Sequence, residues 1–148
     1  MVGWIQIQES MSITLYRLLV DFGLVVLIWI VQLAIYPSFS YFTREGLKQW
    51  HKKYTLQITF VVLPLMNVQL VLAIIHLARA QDWFTITSML IVTGLWLLTF
   101  GLFVPMHGKI DREQYSAKTL DQLVQKNWYR TALWSVLVVL DVVYLFLN

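Results

Sequence analysis

At 148 residues, 59% hydrophobic and only 13% charged, the chain is a single domain, 1–148, with more apolar surface than a soluble fold of its size can bury. The net charge of +3 comes from cations beside the ends of apolar runs, which excludes the basic, aromatic-interleaved footprint of a nucleic-acid-binding module. With no cysteine, disulfides, thiolate metal sites, cysteine nucleophiles and S-palmitoylation are excluded too.

Crossing the hydrocarbon of a bilayer takes roughly 20 apolar helical residues, and four runs qualify. Span one covers about 13–36 and is interrupted by Arg17 and Asp21. No Lys or Arg precedes Arg17 and no small-residue cleavage site follows, so this run is expected to stay as a helix, with Met11 an alternative start to Met1. The connection 37–53 carries Thr43, a capping type, ahead of a pattern that runs unbroken into span two. Span two covers about 54–78 without a formal charge; Pro64 is expected to kink it and to free the carbonyl of Phe60. Span three covers about 83–104. Thr87, Gly94, Gly101 and Gly108 recur there every seven residues and predict one smooth face for close helix packing. The connection 105–127 has Ser116 as a second capping candidate, and span four covers about 128–147 with Asp141 near its far end.

Nine of the eleven Lys and Arg residues fall in two connections or at their edge: Arg44, Lys48, Lys52 and Lys53, then Lys109, Arg112, Lys118, Lys126 and, at the start of span four, Arg130. Only Arg17 and Arg79 lie on the other side. This asymmetry orients the chain in the cell (inner) membrane with both termini facing away from the cytoplasm. Tyr16, Tyr36, Tyr54, Trp83, Trp128 and Tyr144 are expected in interfacial belts. The predicted fold is all-α, an integral membrane four-helix bundle. A faint internal repeat, Pro37 with Arg44-Glu45 and Pro105 with Arg112-Glu113, allows two helical-hairpin repeats, with chance similarity the other reading.

A charge inside hydrocarbon costs roughly 2.5–3.5 kcal/mol, so buried polar residues call for partners or water. Arg17, Asp21, His76, Arg79 and Asp141 gather at one depth. The expected reading is a structural clasp, Arg17–Asp21 and Arg79–Asp141, with a proton or cation site the alternative. Gln32, Tyr36, His51, Tyr54, His107, Asn127 and Arg130, drawn from all four spans, converge near the other boundary as a candidate ligand site. No local His-x-x-x-His or Glu-x-x-His spacing accompanies His51 and His107, so no metal is expected. No cofactor is expected either, haem and quinone being minor alternatives, and no serine has a base and an orienting group at hand.

The segments Ile35-Tyr36-Pro37-Ser38-Phe39, Trp50-His51-Lys52-Lys53-Tyr54, Leu63-Pro64-Leu65-Met66 and Asn127-Trp128-Tyr129-Arg130-Thr131-Ala132-Leu133-Trp134 resemble small uncharacterised four-span bacterial membrane proteins. That group is distantly similar to the anthrone-oxygenase-like membrane family. The resemblance implies a compact four-helix membrane bundle and at most an oxygenase-like activity on an aromatic, apolar substrate; it carries no catalytic residue to a position here.

Three roles follow, in order of expectation. The first is a small enzyme or binder of an apolar ligand, with its site near the cytoplasmic boundary. The second is a non-enzymatic accessory subunit that forms a homo-oligomer or docks on a partner membrane subunit through Gly94, Gly101 and Gly108. The third is a transporter or proton channel, for which four spans suffice only as an oligomer. Besides these, the expected partner is the lipid bilayer, and no nucleic acid.

Overall fold

A computed structural model describes residues 2–147, with side chains from Met11 onward. Met1, one of the two candidate starts, lies outside them. Among the described residues the structure is all-helical, with four helical stretches long and apolar enough to cross a membrane: Met11–Tyr41, Arg44–Arg79, Trp83–Asp111 and Ala117–Leu147.

The first stretch is α1 (Val2–Ile30), a π-helical turn Val31–Ile35, α2 (Tyr36–Ser38) and a 3₁₀ turn Phe39–Tyr41. The second is α3 (Arg44–Arg79), uninterrupted at Pro64. Pro64 offers no N–H to the carbonyl of Phe60. One turn on, Asn67 Nδ2 donates to the carbonyl of Leu63 at 2.7 Å. The third stretch is α4 (Trp83–Leu98), a second π-helical turn Thr99–Phe103, and α5 (Val104–Asp111). The fourth is α6 (Ala117–Leu147).

The helix starts follow from local chemistry. Thr43 is extended and its hydroxyl accepts from the Gly46 N–H at 3.2 Å, the cap expected of it. Asp82 and Thr85 form a reciprocal capping box on α4. Between α5 and α6, Glu113 takes a left-handed φ of 58°, and the Gln114 N–H closes back on the Lys109 carbonyl at 2.8 Å. Ser116 precedes α6, its N–H donating to Thr119 Oγ1 at 3.2 Å.

In space α1 packs on α3 and α6, and α4 packs on α3 and α6, giving an up-and-down ring of four. Leu24, Ile28, Leu95, Leu123, Trp134 and Leu137 fill its centre. Leu19, Leu33, Phe60, Leu90, Leu97 and Val139 are exposed on its outside. The apolar outer face is what hydrocarbon, not water, accommodates.

Several expectations change here. Tyr36, Tyr54 and Tyr144 are buried and belong to the interior; only Tyr16, Trp83 and Trp128 stand outside as interfacial aromatics would. Arg17 and Arg130 are buried as well. Among the described residues, no neighbouring helix comes within 4 Å of the space a methyl group would take at Gly94 or Gly101. Gly108 lies 3.3 Å by the same measure from its own Arg112 guanidinium. The smooth stripe is broken because the π turn carries one extra residue, which rotates everything beyond it by roughly 100°.

Candidate functional site

The two polar clusters lie at opposite ends of the bundle. At the end shared by both termini and the α3–α4 connection, α1 supplies Arg17 and Asp21, α3 Gln69 and His76, and α6 Asp141, all buried. Arg17 Nε lies 3.9 Å from Asp141 Oδ1, Nη1 lies 3.4 Å from His76 Nδ1, and the guanidinium sits over Phe84 at 4.8 Å. Gln69 donates its side-chain amide to Asp21. The carboxyls of Asp21 and Asp141 face each other at hydrogen-bonding range. Among the described residues Asp21 Oδ2 and both Asp141 oxygens have no other hydrogen-bond partner, so a proton between the two carboxyls would be held by them alone.

The expected clasp is therefore rearranged. Arg17 reaches across to α6, Gln69 takes Asp21, and Arg79 is exposed. At the α4 cap, partial burial of Asp82 is outweighed by hydrogen bonds from the Thr85 N–H at 2.9 Å and the Tyr144 hydroxyl at 2.7 Å, which hold the carboxyl below its ordinary range.

At the opposite end two hydrogen-bonded series draw on all four stretches. Asp111 Oδ1 is 2.6 Å from His51 Nδ1, His51 Nε2 is 2.8 Å from His107 Nδ1, and His107 Nε2 is 2.9 Å from the Tyr36 hydroxyl. The Arg130 guanidinium lies beside Tyr36 and reaches Asn127 Oδ1 at 3.5 Å. Asn127 Nδ2 donates to Gln32 Oε1 at 2.9 Å, and Gln32 Nε2 to the Val124 carbonyl at 3.2 Å. With one proton on each imidazole the first series runs in a single direction, from the Tyr36 phenol to His107, His51 and the carboxylate of Asp111. Asp111 is 42% exposed in its side chain while His51 is fully buried, so one end of the series touches water. Just beyond it in the chain, Lys48 bonds Glu113 and holds that carboxyl below its usual range.

All seven candidate ligand-site residues thus come together: Gln32, Tyr36, His51, Tyr54, His107, Asn127 and Arg130. Sequence reasoning missed Asp111, whose signal was its place four residues after His107 on one helix face; it serves His51 instead. The edge-on packing of Phe39 against His51 and Tyr54, at 5.6 and 5.9 Å, had no signal beyond the nearby proline. Because the two imidazoles bond each other, with ring centroids 5.0 Å apart, they do not flank a gap that would admit a haem. Among the described residues no group of three or more His, Cys, Asp or Glu could hold a metal ion.

A cavity of about 370 Å³ opens beside this series. Tyr36, Tyr54, His107, Asp111 and Arg130 line its polar end, and Ile28, Ile58, Val62, Leu63, Met66 and Phe103 its apolar length. A volume in this range with few converging polar groups is typical of small-molecule sites. Comparison of the chain with protein-family models, curated proteins and solved structures gives no match.

Proposed function

We propose that this is an integral membrane protein that binds, or acts on, an apolar-tailed ligand in the cavity between α3 and the π turn of the third stretch. The observation that carries the reading is the cavity itself, with Tyr36, Tyr54, His107 and Arg130 converging at one end of an apolar trough. The series from exposed Asp111 through His51 and His107 to Tyr36 supports acid–base work there, because it joins water to a phenol facing the ligand.

The orientation proposed puts this end at the cytoplasm. Once the buried Arg17 and Arg130 are set aside, eight exposed or half-buried cations remain at the loop end and Arg79 alone at the other. The chain has no cysteine, so single-cysteine variants at Ser116 and Ala80 test this by labelling from each side. The two π turns, Val31–Ile35 and Thr99–Phe103, stand sixty-eight residues apart, as do Pro37 and Pro105, which supports the hairpin-repeat reading.

The test is the mass spectrum of a lipid extract, with the absorption spectrum, of purified protein beside the Ile58→Trp variant that fills the cavity. One amphiphile per chain in the wild type and none in the variant is expected; identical extracts from both would refute the reading. An aromatic ligand, as the anthrone-oxygenase-like resemblance implies, would show in the absorption spectrum.

A second reading, an accessory subunit, is favoured by one observation: among the described residues no other helix comes within 4 Å of the side-chain space at Gly94 and Gly101. Native mass spectrometry showing only monomer, with Gly101→Leu behaving as wild type in cells, would remove it.

A further inference from the structure

We infer that the ligand is a single-chain carboxylate, its headgroup paired with Arg130 and its chain lying along α3; the inference rests on the cavity being a ligand site. The starting point is an unbalanced charge. Among the described residues Arg17 lies against Asp141, Lys48 against Glu113 and His51 against Asp111, but no acidic side chain forms an ion pair with Arg130.

Arg130 is only 6% exposed. Its guanidinium lies over the rings of Phe103 at 4.5 Å and Trp134 at 5.1 Å, and Nε has no hydrogen-bond partner. Stripping a cation of water costs several kcal/mol unless an anion or a full set of acceptors replaces it. The Tyr36 and Asn127 oxygens are neutral acceptors and leave the positive charge uncompensated. The guanidinium lines the cavity, so an anion entering there meets a buried, planar donor suited to a carboxylate.

The rest of the cavity sets the tail. Beyond Tyr54 the α3 wall carries four apolar side chains, Ile58, Val62, Leu63 and Met66, with Thr55 and Thr59, whose hydroxyls donate to the carbonyls of His51 and Thr55. The four apolar side chains lie in one file along α3, a track that a single extended acyl chain follows away from the guanidinium.

Purified protein, delipidated in a maltoside detergent, is titrated with palmitate carrying ¹³C at the carboxyl and, separately, with hexadecan-1-ol. Native mass spectrometry gives the stoichiometry and carboxyl NMR the headgroup environment. One palmitate per chain is expected, with a carboxyl resonance displaced from that of micellar palmitate and an affinity at least tenfold above that of hexadecan-1-ol. Arg130→Met is expected to abolish that preference, and Ile58→Trp to block both amphiphiles. Equal affinity for acid and alcohol in the wild type overturns the carboxylate and leaves the cavity reading standing. Binding of neither overturns both. A retained two-chain phosphate lipid that palmitate does not displace overturns the single-chain assignment. The comparison of acid with alcohol needs no variant, so it decides even where a substitution prevents folding.

Discussion

The Arg17 cluster makes a prediction in which two neighbouring substitutions part company. One guanidinium faces two carboxyls, with Gln69 on Asp21 and His76 on Arg17. Arg17→Met removes the cation and leaves the buried acid pair without it. Breaking a buried pair by removing one partner costs about 3–5 kcal/mol. Asp141→Asn keeps the shape, leaves one cation to one anion, and gives the neighbouring Asp21 an amide donor in place of a second acceptor. Its cost is expected to be below about 1 kcal/mol, the scale of an ordinary hydrogen-bond exchange. For a chain of about this length each kcal/mol moves Tm by roughly 2–4 °C. Thermal unfolding in detergent, followed by tryptophan fluorescence, should therefore fall by about 10 °C for Arg17→Met and hardly move for Asp141→Asn. Adding Asp21→Asn and Asp141→Asn to Arg17→Met should recover most of the loss. Equal losses from Arg17→Met and Asp141→Asn would refute the charge argument, and a harmless Arg17→Met would show that the cluster is solvated.

Three further outcomes are expected. Asp82→Ala removes a helix cap and should cost about 1 kcal/mol. Since the folded carboxyl is held below its ordinary value of 3.8, this difference should be complete above that pH and vanish as the pH falls through the lower folded value; melts of both proteins across that range check it. His51→Ala strands His107 Nδ1 in the interior and should cost about 1–3 kcal/mol, whereas Asp111→Ala should cost less because its carboxylate is partly in water; thermal melts give the order. Glu113→Gly should raise the apparent Tm by a few degrees, because glycine takes the φ of 58° without a Cβ penalty, while the Lys48 link it loses is exposed.

The four spans were legible because apolar run length is a local property, and the cap at Thr43 because it is satisfied within three residues; the Asp82 cap is as local but was not read. Membership of the two polar clusters was legible from depth alone, by counting residues from the ends of each span. Partner choice was not. Arg17 to Asp21 is an i, i+4 pair that a single helix suggests, yet Arg17 turns to Asp141 on α6, a choice set by how α1 and α6 pack. Nor did Tyr144 betray its depth: it looks like a belt residue in one dimension and is buried in three.

The least legible feature is the one that builds the site. Neither π turn has a sequence signature of its own, yet each is followed directly by an X-Pro pair, Tyr36-Pro37 and Val104-Pro105. Proline lacks the N–H that would close the helix and its ring presses on the carbonyl four residues back. Widening the turn relieves that pressure, and the Tyr36 N–H bonds the Val31 carbonyl and the Val104 N–H the Thr99 carbonyl, one residue further back than in an α-helix. The extra residue re-aims everything beyond. Two positions after each proline stand Phe39 and His107, both directed at His51 from different helices, with ring centroids 5.6 and 5.0 Å away. On span one the same shift keeps Tyr36 buried beside Gln32. On span three it takes Gly108 out of line with Gly94 and Gly101 and into the cavity wall. The break in the glycine stripe and the assembly of the histidine pair are thus two consequences of one local distortion. Removing either proline should disturb the His51–His107 contact before it disturbs the bundle.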